Sequence, residues 1–176
     1  TPLYSSAASD VYKRQGDTNI NAGTLRLTGS LSSLTDVAMT NAAIWDLQVD
    51  QTVATLTMAA GNSITNTAGT SALTISGAST LANSITTSGA QTYTGAVTLA
   101  ADTTLASNGS DASGAINLAN TVNGNFALTV NTAGVTTFGA AVGGTNALTS
   151  VTTDSAGSVA INGGSVRTSG AQTYND

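Results

Sequence analysis

Few residues in this sequence could carry out acid–base, nucleophilic or metal chemistry. Histidine, cysteine and glutamate are all absent, so the acidic side chains are nine aspartates. Without histidine and cysteine, the usual zinc ligands and the Ser-His and Cys-His nucleophile systems are excluded. The remaining candidates for chemistry are pairs of carboxylates, hydroxyl groups and a few cations.

Asp46 and Asp50 form the nearest pair of carboxylates, and two carboxylates are what a glycosidase needs. Their even spacing puts both on one face of a possible strand, where we interpret them as solvated. A polysaccharide lyase would need a cationic base beside clustered acids. Arg26 and Arg167 lie far apart in the sequence and cannot share a cleft on an elongated molecule. The sequence therefore predicts no catalytic residues.

Metal and cofactor motifs are also missing. The glycine-rich nonapeptide that binds calcium is absent, and the segment around Asp111 lacks the acidic spacing of an EF-hand loop. Asn and Asp there are typical of turns. The pairs Gly143–Gly144 and Gly163–Gly164 are interpreted as turn glycines, because neither precedes a phosphate-binding lysine. We predict no metal and no cofactor.

The aromatic residues and Thr-x-Thr pairs have structural interpretations. Trp45 shares the parity of Leu47 and is predicted to pack inward, with an exposed sugar-stacking platform as the alternative. Tyr93 and Tyr174 occupy one repeated position, which favours a structural role at a corner. Regular stacks of Thr-x-Thr pairs could order water and bind ice, and such pairs occur at 55–57 and 65–67.

Short strands must position these side chains. After residue 15, aliphatic residues alternate with Thr, Ser, Asn or Ala, which is the period-two pattern of strands with one buried face. The predicted inward pairs are Leu25 and Leu27, Leu73 and Ile75, Val97 and Leu99, Ile116 and Leu118, and Leu128 and Val130. Clusters of Gly, Asn, Asp and Ser between them are typical of turns.

An internal repeat distinguishes two all-β architectures. The segment TSGAQTY occurs at Thr87–Tyr93 and again at Thr168–Tyr174. Weaker echoes at a period of about 20 residues, a length typical of solenoid repeats, indicate about four coils in each larger unit, with longer three-strand coils as an alternative. The sequence therefore predicts a right-handed parallel β-helix over residues 16–176, and a β-sandwich is the competing fold.

A family resemblance agrees with that prediction. The segment INAGTL at 20–25, followed by Trp45-Asp46-Leu47 where LDL is usual, resembles the passenger repeat of bacterial autotransporters over residues 19–57. From about residue 88 the chain is similar to the tandem repeats of filamentous-haemagglutinin-like β-strand-repeat proteins. The resemblance implies a right-handed β-helix stalk that is secreted or displayed on a Gram-negative cell, with no catalytic residues.

The first fifteen residues differ in composition from the rest. Residues 10–15 can be written GAT GTG TAT AAG AGA CAG, which resembles a transposase end used in sequencing libraries. We interpret residues 1–15 as a translated adapter, non-native and disordered, with a natural disordered leader as the alternative. A native segment truncated at both ends follows from the first interpretation.

Composition narrows the function further. Beyond residue 15 there are two arginines and eight aspartates, 2 − 8 = −6, and mean hydropathy over the chain is +0.14. No cationic patch favours nucleic acid or anionic lipid, and no apolar run inserts in a membrane. We expect a non-enzymatic stalk or adhesion surface outside the cell, whose partners are surface glycans or proteins and neighbouring repeats. A carbohydrate-active β-helix enzyme and an ice-binding or self-assembling protein are the alternatives.

Overall fold

The computed structural model describes residues 16–176, and the predicted adapter at residues 1–15 lies outside that range. The described chain is an all-β parallel β-solenoid of about eight turns. It contains no α-helix, and its single helical element is a 3₁₀ turn at Asp111–Gly114. Every pair of strands within this range is parallel, which confirms the solenoid and excludes the sandwich.

Each turn is built from three faces that share one interior. Faces 1 and 2 form one hydrogen-bonded sheet of twelve strands, and face 3 forms a second sheet of six strands. Face 1 contains β1 (Thr18–Ile20), β3 (Asp36–Met39), β6 (Thr55–Met58), the first parts of β9 (Ser79–Thr87) and β11 (Val97–Ser110), and β13 (Val122–Asn123). Face 2 contains β2 (Thr24–Leu27), β4 (Ile44–Leu47), β7 (Ser63–Thr65), the later parts of β9 and β11, β14 (Ala127–Ala133), β16 (Ser150–Thr153) and β18 (Gln172–Thr173). Face 3 contains β5 (Gln51–Val53), β8 (Leu73–Ile75), β10 (Gln91–Tyr93), β12 (Ile116–Leu118), β15 (Val135–Phe138) and β17 (Ser158–Ile161).

The coil length varies around the predicted value. Asp36 aligns with Thr55 on face 1 at a sequence separation of 19, whereas Asp102 contacts Ala127 across a longer coil at a separation of 25. The longer coil accommodates the 3₁₀ turn between β11 and β12. The predicted coil length is therefore confirmed as an average, and each coil has three sides. The hand of the solenoid stays a prediction.

Aligned aliphatic side chains form continuous inward columns. Most of the predicted inward pairs are buried, while Leu25 and Leu27 in the first coil are half-buried. Each fully buried Leu or Ile contributes about 1.5–3 kcal/mol relative to an exposed one. The column on face 2 consists of Leu25, Trp45, Ile64, Ile85, Leu105, Val130 and Thr153. The column on face 3 consists of Val53, Ile75, Tyr93, Leu118, Phe138 and Ile161.

Left-handed residues turn the chain from face 1 to face 2. Gly23, Gly61 and Asn83 take positive φ angles of 71°, 90° and 58° at this corner. Ala42 lies at the same corner with φ 55°, although alanine has a side chain that disfavours this conformation. In three of these coils the corner residue is glycine or asparagine, which tolerate positive φ angles, so the chain can turn there without strain.

Candidate functional site

The described part of the chain brings together one charged cluster and no metal-binding group. Within it, no set of three or more Asp side chains converges as a metal site would require. Arg26 and Asp46 form an ion pair with Nε donating to Oδ2 at 2.8 Å. Their strands are adjacent on face 2, where Arg26 aligns directly with Asp46.

Thr67 completes this cluster from the next coil. Its backbone N–H donates to Asp46 Oδ1 at 2.9 Å, and its hydroxyl donates to Oδ2 at 2.7 Å. The Asp46 side chain is only 1% exposed, whereas that of Arg26 is 51% exposed. The prediction that Asp46 is solvated is therefore wrong, because the side chains of adjacent coils cover the carboxylate.

The pKa of Asp46 shows what the cluster does. Burial alone would raise this pKa, but the two hydrogen bonds from Thr67 and the Arg26 guanidinium outweigh burial and lower it below its usual value. The carboxylate therefore stays ionised, which suits a structural anion and not a general acid that must hold a proton near neutral pH. We conclude that the cluster ties three consecutive coils together.

Asp50 does not share a strand with Asp46, because β4 ends at Leu47. Its carboxylate is exposed and accepts a 2.8 Å hydrogen bond from the backbone N–H of Ala72 in the next coil. The prediction that the two aspartates lie on one face of one strand is therefore wrong.

Other aspartates also bind the backbone of a neighbouring coil. Asp102 accepts a hydrogen bond from Ala127 N at 2.9 Å, and Asp154 accepts one from Thr132 N at 3.1 Å. These bonds connect residues 22 to 25 positions apart. Acidic residues at the corners thus satisfy backbone donors between coils, instead of forming local turns only. The signal in the sequence was that each aspartate lies about one coil, 22 to 25 residues, away from the backbone N–H that it binds.

Three further predictions are confirmed. Trp45 packs inward with 0% exposure, so it is not a surface platform for sugars. Arg26 lies in the first coil and Arg167 in the last, where its guanidinium contacts Gly144 O at 3.4 Å. The glycine pairs lie in turns, with positive φ at Gly143 and Gly164.

The segment TSGAQTY builds the same hydrogen-bond network at both of its positions. In the first copy, Tyr93 OH donates to Gln91 Oε1 at 2.8 Å, and Gln91 Nε2 donates to Thr87 Oγ1 at 3.2 Å. In the second copy, Tyr174 OH donates to Gln172 Oε1 at 3.1 Å, and Gln172 Nε2 donates to Thr168 Oγ1 at 3.3 Å. Burial raises the pKa of Tyr93, which keeps its phenol protonated as the donor. The predicted structural role of both tyrosines is confirmed.

The two copies occupy different faces of the solenoid. Gln91 aligns with Leu73 and Ile116 on face 3, whereas Gln172 aligns with Val151 on face 2. The stretch of chain from one copy to the next therefore makes a little less than four turns, which confirms the prediction of about four coils per unit, although the two copies do not lie on the same face. TSGAQTY therefore forms a corner that fits more than one edge of the three-sided coil, because most of its hydrogen bonds lie within the segment itself.

Outward hydroxyl groups form an array on face 2. One column of aligned residues contains Ser63, Ser84, Thr104, Thr129 and Thr152. In a second column beside it, Thr65 follows Ile64, which aligns with Ile85, and Thr86 follows Ile85. This column continues as Ala106 and Asn131, which carry no hydroxyl group. Of the pairs that the sequence suggested, only Thr65 belongs to this array, because Thr55 and Thr57 lie on face 1 and Thr67 binds Asp46.

No protein-family model, curated protein or solved structure matches this chain. The fold is thus established by the architecture itself, and the resemblance to autotransporter passengers stays a prediction. None of the helical structure in residues 16–176 is long and apolar enough to cross a membrane.

Proposed function

We propose that this chain is a non-enzymatic structural and adhesive segment of a large secreted or surface-displayed bacterial protein. The observation that carries the proposal is the unbroken set of inward columns through about eight turns. Each turn advances the chain by roughly 4.8 Å, so length is added without changing the cross-section. Corner bonds from Asp, Asn and Gln use the polar side chains for cohesion between coils.

The stalk part of the proposal concerns the length of the solenoid, and the adhesive part concerns its long outward faces. Small-angle X-ray scattering of the chain and of a tandem duplication tests the stalk, and the duplication should lengthen the particle at constant cross-sectional radius. A duplicated chain of unchanged length would contradict the stalk. Location outside a Gram-negative cell, and surface glycans or proteins as partners, belong to the same proposal.

Adhesion is tested with beads that carry the full chain, measured for retention on glycan-coated and glycoprotein-coated surfaces under flow. Thr86→Lys changes the hydroxyl array on face 2, and Thr92→Lys makes the same change on face 3. If face 2 binds, only Thr86→Lys should reduce retention. Depolymerisation of pectin-like or alginate-like polymers by the same protein would instead favour the carbohydrate-active enzyme.

The hydroxyl array also favours a second candidate, an ice-binding surface. The hydroxyls of its first column repeat about every 4.8 Å between coils, and Ser84 Oγ and Thr86 Oγ1 lie 3.5 Å apart on one strand. Such a row of hydroxyls is the kind of surface that would order water molecules. Thermal hysteresis that Thr86→Lys abolishes and Thr92→Lys retains would support this candidate. A freezing point equal to the melting point would reject it.

A further inference from the structure

Asparagine is followed directly by glycine at three positions of the sequence, 108, 123 and 162. An asparagine in this setting can lose its side-chain amide without an enzyme, because the backbone nitrogen of the next residue attacks the side chain. Glycine favours the attack, since it has no side chain to hinder it and its backbone rotates freely. In a folded protein the reaction depends on whether both groups are free to move. The three sites differ in this respect.

Asn108 and Gly109 lie in a β-bulge near the end of β11. The alignment of β11 with β14 shifts between Ser107 and Ser110, so the two residues between them have no partner in that ladder. On the other side, the alignment of β11 with β9 ends at Ser107. Neither neighbouring strand therefore pairs with Asn108 or Gly109.

The two reacting groups of this site are accessible. The Asn108 side chain is exposed, and its amide has no hydrogen-bond partner within residues 16–176. Gly109 is half-exposed, and its N–H donates to the Ser107 hydroxyl at 3.3 Å and not to a neighbouring strand. The glycine is required here, because an added Cβ would lie 2.7 Å from Ser113 O in the 3₁₀ turn.

The other two sites are held by adjacent coils. Asn123 Oδ1 accepts hydrogen bonds from two consecutive backbone N–H groups of the next coil, at 2.9 and 3.1 Å. Gly124 is buried, and its N–H donates to Asn146 O at 3.3 Å. At the third site, the Gly163 N–H donates to Phe138 O at 3.1 Å. These bonds must open before either glycine nitrogen can attack.

We propose that Asn108 is a site of spontaneous deamidation, and that the fold slows the same reaction at Asn123 and Asn162. The Gly109 backbone nitrogen gives up its proton and attacks Cγ of Asn108. The bond from Cγ to Nδ2 breaks and ammonia leaves with that proton, which closes a succinimide ring. Solvent water then opens the ring at either carbonyl and leaves an aspartate or an isoaspartate.

The net reaction exchanges one amide for one carboxylate, with water consumed and ammonia released. It adds a negative charge to an exposed loop that already carries Asp111. This modification goes beyond the proposed stalk function, which does not require it.

Ageing of the full chain in mildly alkaline buffer, with and without an unfolding concentration of urea, tests the site. Tandem mass spectrometry of its peptides follows each asparagine, because replacement of the amide NH₂ by OH raises the peptide mass. In the folded chain, Asn108 should react faster than Asn123 by about tenfold or more, since the bonds that hold Asn123 must open first. In urea the two rates should become similar, because both asparagines precede glycine.

Two outcomes of this comparison would overturn the proposal. One is equal rates at Asn108 and Asn123 in the folded chain. The other is a difference that persists in urea, because its cause would then be the local sequence and not the fold. Neither outcome would affect the stalk function.

Asn108→Gln is the matched control, because it keeps an exposed amide but needs a larger ring for the same attack. Ion-exchange chromatography should show acidic product accumulating in the original chain several-fold faster than in this variant. Acidic product that forms equally fast in Asn108→Gln would place the main reaction at another residue and overturn the assignment.

Discussion

At the scale of single residues, the carboxylate of Asp46 is the clearest determinant of stability. Asp46→Asn removes the charge that Arg26 and Thr67 surround, so we expect the free energy of unfolding at pH 7 to fall by about 1–3 kcal/mol. Asp50→Asn is the matched control, because that side chain is exposed and has one backbone partner. Urea unfolding followed by circular dichroism measures both changes.

The same variant has a defined pH dependence. The folded pKa of Asp46 is depressed, so its contribution is present above the unfolded pKa of about 3.9 and is lost as pH falls through the folded value. The difference between the original chain and Asp46→Asn should therefore shrink below about pH 4. A difference that stays constant down to pH 2 would show that the charge has no role.

Gln91 and Gln172 test how burial changes the energy of one identical network. Gln91→Leu leaves the buried hydroxyl of Tyr93 without its acceptor, which should cost about 1–3 kcal/mol of unfolding free energy. Gln172→Leu should cost less than about 0.5 kcal/mol, since its network is exposed to water. Adding Tyr93→Phe to Gln91→Leu should recover part of the loss, measured as a double-mutant cycle. Equal losses at both copies would contradict this explanation.

Much of the residue scale was not predictable from the sequence. Alternation identified the inward aliphatic residues and Trp45, because side chains alternate strictly along a strand. It also assigned Asp46 to the outward side correctly, yet the cover over that carboxylate comes from residues 20 and 21 positions away. Such cover depends on the exact coil length, which varies and which local patterns do not determine.

At the scale of elements, the corner between faces 1 and 2 contains a residue under strain. Ala42 adopts φ 55°, whereas Gly61 occupies the aligned position in the next coil, two residues before β7 as Ala42 is two residues before β4. Ala42→Gly relieves about 1–2 kcal/mol of strain and loses about 0.4–1 kcal/mol through a more flexible unfolded chain. We expect a net gain in stability of roughly 0.5–1 kcal/mol, measured by urea unfolding.

Gly61→Ala is the matched change in the opposite direction. Its added Cβ would meet the Cβ of Ala42 at 3.8 Å, which is ordinary contact, so the backbone conformation dominates the result. This variant should lose stability. A loss on Ala42→Gly, or a gain on Gly61→Ala, would show that packing and not the left-handed conformation determines the corner.

The strands were predictable at this scale, whereas the face of the solenoid on which each copy of the repeated segment lies was not. Period-two alternation and turn residues identified the strands because each face buries one side only. Identical sequence at Thr87–Tyr93 and Thr168–Tyr174 suggested identical position, but the coils between them differ in length. The second copy therefore lies on another face, and only the three-dimensional register reveals that shift.

At the scale of the whole molecule, the solenoid should behave as a row of coupled layers and not as one cooperative unit. Each coil contacts its neighbours almost exclusively, so stability is close to a sum of coil and interface terms. Trp45, the lone tryptophan, lies in the second coil and reports on that end through its fluorescence. Val151, which is fully buried on face 2, lies near the other end.

Two buried-charge variants distinguish layered from global unfolding. Ile64→Asp places a carboxylate directly opposite Trp45 in the adjacent coil and should strongly lower the urea midpoint of Trp45 fluorescence. Val151→Asp also places a carboxylate at a buried aliphatic position, but several coils away. It should unfold the distant coils, which circular dichroism would detect as an early loss of strand signal. The midpoint of Trp45 fluorescence should then move little. Equal shifts of the fluorescence midpoint would mean that the coils unfold as one unit. In the layered case, damage at one end stays local, because each coil packs mainly on its two neighbours.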